Sequence, residues 1–211
     1  EENRNIARMC VLLAGLPLTI GGVTVNRLCG SGMQAFIDAV RGIRNGEGEC
    51  YLAGGVESMT RAPFVMAKAT EPFSRKAEVF DTTIGWRFTN PALAKLHYPF
   101  SMGETAENVA EKYKITRERQ DEFAYKSQMK AKAAIETGKF NNEILPVEIK
   151  SKKDVVIFNT DEFPRFDTTI EKLAKLKPAF REGGTVTAGN SSGVNDGASL
   201  LLIASEDFVK K

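Results

Sequence analysis

Cys29 stands in Thr24-Val25-Asn26-Arg27-Leu28-Cys29-Gly30-Ser31-Gly32-Met33-Gln34-Ala35, a stretch whose residue types could carry out covalent chemistry. Just upstream, the β-branched run at 23–25 predicts a short buried strand. Downstream, Met33, Phe36, Ile37, Val40 and Ile43 recur at the spacing of one helix face. The cysteine is therefore expected where a strand turns into a helix. The first turn of a helix leaves amide N–H groups unpaired and carries partial positive charge, which favours a thiolate. Gly30 and Gly32 keep side chains out of the path of an approaching carbonyl, and the amides of the same turn are candidates for an oxyanion hole. Cys29 reads as a nucleophile. Cys10, in the apolar helical run 6–16, and Cys50, which opens an apolar strand, read as structural, since a free cysteine is most often a small buried hydrophobe.

The same residues admit a second reading. Gly30-x-Gly32-x-x-Ala35 between a strand and a helix fits the dinucleotide-binding fingerprint, with Glu57 downstream as a ribose ligand. Glu57 follows Gly54-Gly55 and not a plain strand end, which counts against that fit. A nucleotide-binding oxidoreductase domain and a non-catalytic truncated scaffold thus stand as alternatives to a thiol enzyme.

The elements that must position Cys29 follow from the pattern around it. Asn3 or Asn5 caps a helix running to about Leu16; the strand at 23–25, Cys29 and its helix come next, and Cys50 begins a strand ending in Gly54-Gly55-Val56-Glu57-Ser58-Met59. This alternation predicts an α/β protein with a mostly parallel sheet, whose functional groups gather beyond the strand ends. Residues 60–99, with Pro63, Pro72, Pro91 and Pro99, lack clear periodicity and read as a functional excursion. Ser101-x-x-Glu104 is a capping box for a helix burying Ala106, Val109, Ala110 and Tyr113. Thr116 caps a long charged helix with Phe123, Ser127, Ala131, Ala134 and Ile135 inward and Gly138 as its stop. Residues 146–149 and 155–158 read as strands around a Lys152-Lys153-Asp154 turn, and Thr168 begins a short helix. Thr185-Val186-Thr187-Ala188 reads as a strand, the glycine-rich loop 189–197 follows, and 199–204 is apolar strand. Ser205 opens a further helix.

Composition narrows the class. The 211 residues are 42% hydrophobic and 27% charged, enough for a real core. With 29 Lys+Arg against 27 Asp+Glu the net charge is +2, so nothing favours nucleic acid or a membrane surface. Three cysteines without metal-type spacing argue for a reducing, cytoplasmic compartment, and a single histidine argues against a histidine-rich metal site. The lone His97 lies in the excursion. The chain begins on Glu1-Glu2 without Met and stops on Lys210-Lys211 soon after a helix start, so both ends read as cut from a longer protein.

Five motifs occur in order: Asn-Arg-Leu-Cys-Gly-Ser-Gly (26–32), Ala-Gly-Gly-Val-Glu-Ser-Met (53–59), Met-Gly-Glu-Thr-Ala-Glu-Asn-Val-Ala (102–110), Asp-Glu-Phe-Pro-Arg (161–165) and Thr-Val-Thr-Ala-Gly-Asn-Ser-Ser-Gly-Val-Asn-Asp-Gly (185–197). The series resembles the thiolases, which make or break the carbon–carbon bond of 3-ketoacyl-CoA thioesters. The segment 78–88 resembles degradative members, including the β-ketoadipyl-CoA thiolases. The resemblance implies a partial, N-terminal half of a layered α/β/α core (1–60 and 184–211) with an inserted α+β loop domain (61–183) that binds CoA and supports oligomerisation. It implies that Cys29 carries the acyl group and that Met102 lines the acyl and pantetheine channel, with Ser101 standing where biosynthetic members often have His. Arg165 would lie beside the CoA nucleotide and Phe180 near adenine or pantetheine, while Ala188, Ser191 and Ser192 would contact pantetheine, Ser192 as the hydrogen-bonding member. Coenzyme A and acyl-CoA enter as substrates, with no permanently bound cofactor and no metal, in a homodimer or homotetramer. The acid/base Cys, His and Asn of the family's C-terminal half have no counterpart motif here, so the segment alone is expected to be inactive.

Overall fold

A computed structural model describes residues 4–152 and 154–211; Asn3 and Lys153, used in the reading above, lie outside the described residues. The chain divides into two compact units. One holds the described residues up to Thr83 together with Val194–Lys211, the other Ile84–Gly193.

In the first unit, helix α1 (Ile6–Leu13) starts at Asn5, whose side chain accepts the Arg8 amide. The two side chains then reach across to the following segment. The Asn5 Nδ2 group donates to Gly22 O at 2.8 Å, and the Arg8 guanidinium donates to the carbonyls of Ile20 and, at 3.0 Å, Leu18. These bonds tie residues 18–22 to α1. Residues 23–25 form no strand, and Val23 is 75% exposed, contrary to the expectation from their β-branched composition. Helix α2 (Ser31–Arg44) follows, with Arg41 and Arg44 at its negative C-terminal end. It packs on a two-stranded sheet of β1 (Cys50–Glu57) and β6 (Gly197–Ala204). The pairing is antiparallel, from Cys50 opposite Ala204 to Glu57 opposite Gly197. A second antiparallel pair, β2 (Phe64–Met66) and β3 (Val79–Asp81), lies within the excursion. The buried apolar residues of this unit are Val11, Ala39 and Ala53, while Leu200, Leu201 and Leu202 of β6 are exposed. Helix α7 (Glu206–Lys210) is capped by Ser205.

In the second unit, α3 (Pro91–Leu96) is capped by Asn90 and ends at His97, and α4 (Met102–Tyr113) begins at a complete Ser101/Glu104 capping box. Lys114, at φ +52°, ends α4, and Thr116 caps α5 (Arg117–Glu136). The stripes differ from those expected. The buried residues of α4 are Glu107 and Ala110, with Ala106, Val109 and Tyr113 exposed; that of α5 is Asp121, with Phe123 78% exposed and Ser127 exposed as well. Buried carboxylates, not an apolar seam, set which face of each helix turns inward. The hairpin β4 (Val147–Lys150) and β5 (Val155–Phe158) is antiparallel, and α6 (Ile170–Ala174), capped by Thr169, packs on α5.

Residues 185–188 form no strand, although their composition predicted one. The amides of Thr185 and Val186 donate to the Glu107 carboxylate at 2.8–3.0 Å, and that of Thr187 to Asn190 Oδ1 at 2.7 Å. Side-chain acceptors satisfy the backbone that a neighbouring strand would otherwise bond. All three strand pairs among the described residues are antiparallel, so the mostly parallel sheet expected from the sequence is not found among them. No helix among the described residues is long and apolar enough to cross a membrane.

Candidate active site

The turn that carries Cys29 is built by its neighbours. Leu28 adopts a left-handed backbone, φ +52°, which is uncommon for a residue with a Cβ. Three bonds hold it there. Asn26 Oδ1 accepts the Leu28 amide at 3.0 Å, Ser31 Oγ accepts the Arg27 amide at 2.9 Å, and the same hydroxyl donates to Leu28 O at 2.7 Å. The amides of Gly30 and Ser31 close back onto Arg27 O and Leu28 O. Cys29 is left exposed at the entrance to α2, whose N-cap, Gly30, offers no side-chain bond to the first turn. A Cβ on Gly32 would meet nothing within 4 Å, so the approach on that side is open. The Arg27 guanidinium donates to Gln34 Oε1 at 2.9 Å and Gln34 in turn to Asp38, which draws that cation along α2.

This geometry can present a sulfur to an electrophile beside a helix N-terminus. It does not give the dinucleotide fingerprint its context, because no strand precedes Gly30-x-Gly32-x-x-Ala35. Cys10 and Cys50 are also free and exposed, so burial does not set the three cysteines apart as expected. Position does. Cys10 is inside α1 and Cys50 begins β1, and of the three Cys29 alone adjoins a helix start.

The other residues singled out from the sequence lie in the second unit. Met102 is the first residue of α4, 70% exposed, and lines a groove of about 410 Å³ together with Thr105, Ala106, Val109, Val186 and Asn190. Phe180 is exposed, yet its ring lies against the same end of α4, where a Cβ on Gly103 would fall 2.2 Å from it. The glycine is what lets the aromatic ring lie on the helix backbone. Arg165 is exposed; its amide donates to Gln128 Oε1 at 2.7 Å and its carbonyl accepts from Thr168, which fixes its backbone, and, after the Lys172 hydrogen bond, its charge helps lower the pKa of Asp167. Ala188 and Ser192 are exposed, whereas the Ser191 hydroxyl is buried with no hydrogen-bond partner among the described residues. A buried hydroxyl left unpaired is costly, and such a group commonly meets a water or a ligand. Met102, Phe180 and the 185–192 segment thus gather around α4, and Arg165 is tied to α5.

What holds this gathering in place was not among the residues singled out. Glu107, 3% exposed, accepts from the Thr185 amide, the Thr185 hydroxyl and the Val186 amide. Burial alone would raise its pKa, but those three donors outweigh burial and, with the nearby Arg181 charge, hold it below the ordinary glutamate value. Asp121, 2% exposed, pairs with Arg117 Nε at 2.7 Å and accepts Asn190 Nδ2 at 2.9 Å, while Arg117 Nη2 donates to Leu173 O and Leu176 O. The only sequence signal for these groups is a charged residue on the inward arc of each helix, one turn from its apolar neighbours.

A fold, a thiol turn and a loop of this kind define a class. The family model "Thiolase, N-terminal domain" matches residues 1–207, and the chain belongs to the thiolase family. It is 58% identical over 209 residues to a β-ketoadipyl-CoA thiolase of Escherichia coli and 56% identical over 211 residues to that of Pseudomonas putida, covering 99% and 100% of this chain but 52% and 53% of theirs. Among solved structures, the Bacillus anthracis acetyl-CoA acetyltransferase matches with TM-score 0.82 and 42% identity, over 99% of this chain and 52% of that one. Human mitochondrial 3-ketoacyl-CoA thiolase matches with TM-score 0.80 and 40% identity, over 97% and 51%. The fold is therefore a thiolase-like α/β fold, and the chain spans about half the length of the curated relatives it matches.

Proposed function

We propose that the protein containing this chain is a thiolase-type acyltransferase (acetyl-CoA C-acyltransferase) that cleaves a 3-ketoacyl-CoA with free CoA, in the degradative, aromatic-acid branch to which the β-ketoadipyl-CoA thiolases belong. The observation that carries it is the exposed Cys29 on a left-handed turn at the N-terminus of α2. In this reading the Cys29 sulfur bonds to the 3-keto carbon. The C2–C3 bond then breaks, its electron pair leaves as the acetyl-CoA enolate and takes up a proton, and the acyl group stays on sulfur. The CoA thiol gives up its proton, its sulfur takes the acyl carbon, and Cys29 is released. In this reading the oxyanion is stabilised by the Cys29 amide and by the first-turn amides of α2 other than that of Ser31, which is spent on Leu28 O.

Residues 1–60 and 184–211 serve as the partial core in this reading and 61–183 as the loop domain; the compact units, which change at 83/84 and 193/194, describe packing and not that division. In this reading Met102 lines the pantetheine and acyl channel, Ala188, Ser191 and Ser192 contact pantetheine, Phe180 packs near adenine or pantetheine, and Arg165 lies beside the nucleotide, where an exposed guanidinium pairs with phosphate or stacks on adenine. The unpaired Ser191 hydroxyl supports a ligand contact at that point of the loop. The protein works as a homodimer or homotetramer in the cytoplasm, which its free, exposed cysteines favour. The acid/base groups for enolate protonation come from outside these residues, so this segment by itself holds the nucleophile without completing turnover.

The test is made on the polypeptide at its natural length. Iodoacetamide at neutral pH should alkylate Cys29 ahead of Cys10 and Cys50, and acetyl-CoA should slow it while leaving an acetyl adduct on the Cys29 peptide. Cys29→Ser should lower thiolysis by at least about a thousandfold. Equal, sluggish alkylation of all three cysteines would overturn the reading.

A further inference from the structure

We infer that Glu107 is a positioning residue that fixes the two walls of the acyl-CoA groove relative to each other; this rests on the functional reading above. One wall is the first turn of α4, headed by Met102 and backed by Phe180. The other is the 185–192 segment, which forms no strand; the Ala179 amide donates to Val186 O at 2.9 Å and Gln120 Nε2 to the Thr185 hydroxyl at 2.9 Å, while its first two amides turn to α4. Glu107 lies on α4 five residues beyond Met102, and its carboxylate accepts from both amides that begin that segment and from the Thr185 hydroxyl. The approach is so close that a Cβ on Gly184 would lie 2.3 Å from Glu107 Oε1. A second tie comes from the opposite side. Asn190 accepts the Thr187 amide and donates to Asp121 and to Thr185 O. Between the two ties Thr187 is fully buried, and its hydroxyl accepts the Gly189 amide. The segment is thereby held in one shape before any ligand arrives, with the Ser191 hydroxyl turned inward and unpaired just past the last tie.

A carboxylate suits this task because all three partners are donors. An amide of the same shape would turn an NH2 group towards them. Glu107→Gln, in the natural-length polypeptide, is therefore expected to speed hydrogen exchange at the Thr185 and Val186 amides about tenfold or more, the loss expected of a charge-assisted bond. The dissociation constant for desulfo-CoA should rise about tenfold in the same variant, while iodoacetamide alkylation of Cys29 stays within about twofold of the parent. Gly184→Ala strikes the same contact from the other side and should reproduce both changes; it replaces Glu107→Gln should that variant not fold. Glu107→Asp, which keeps the charge one methylene shorter, should recover part of the binding. Unchanged exchange, or faster exchange with unchanged desulfo-CoA binding, would overturn the inference alone. Failure of the unsubstituted protein to bind desulfo-CoA would overturn the functional reading and this inference with it.

Discussion

The Glu107 carboxylate couples one side chain to acid stability. Its pKa in the folded chain is below the ordinary value of 4.5, because the Thr185 and Val186 donors outweigh the opposing effect of burial. An unfolded chain thus binds the proton more readily, and the stabilisation is fully present above about pH 4.5 and is lost as pH falls through the folded value. Glu107→Gln should be the less stable protein at pH 7, and its deficit should narrow as pH drops below the carboxylate range. Urea midpoints of the two proteins at pH 7 and at successively lower pH check this, and a constant gap would contradict it. At this scale the sequence was informative where chemistry is local. Cys29, Gly30 and Ser31 already sit together in the chain. Glu107 and Asp121 were hidden because, apart from the local Arg117 partner of Asp121, the donors they serve lie 69 to 79 residues away at Thr185, Val186 and Asn190.

Helices and strands differ in how much of their cause is local. Asn5, Ser101, Thr116 and Ser205 each cap the helix expected of them, since the bond spans only three residues. The β-branched runs at 23–25 and 185–188 carry strand composition, yet neither is a strand: Asn5 and Arg8 hold the backbone just before the first, at residues 18–22, and Glu107 and Asn190 take the amides of the second. Two substitutions separate these layers. Ser101→Ala removes one half-buried cap and should cost about 1 kcal/mol. Asp121→Ala leaves the Arg117 guanidinium, 19% exposed, without its carboxylate and removes one of the bonds to Asn190, so it should cost about 3–5 kcal/mol. Equal losses in chemical denaturation would mean that the Asp121 cluster is not the tie between α5, α6 and the 185–190 segment.

Across the whole molecule, family and fold class were readable because five motifs fall in order along nearly the entire chain, whereas strand direction was not, because β1 names its partner nowhere near itself. β1 pairs with β6 at sequence separations of 140 to 154 residues. During synthesis, then, the residues that form β1 leave the ribosome long before their ladder exists. Nascent chains stalled before residue 197 should leave the β1 amides freely exchanging, and chains released beyond residue 204 should protect them. For that interval Leu52 and Val56 stand on an open strand edge, a natural client for a chaperone. Antiparallel closure over so great a contour length makes the pace of elongation part of how this fold is reached.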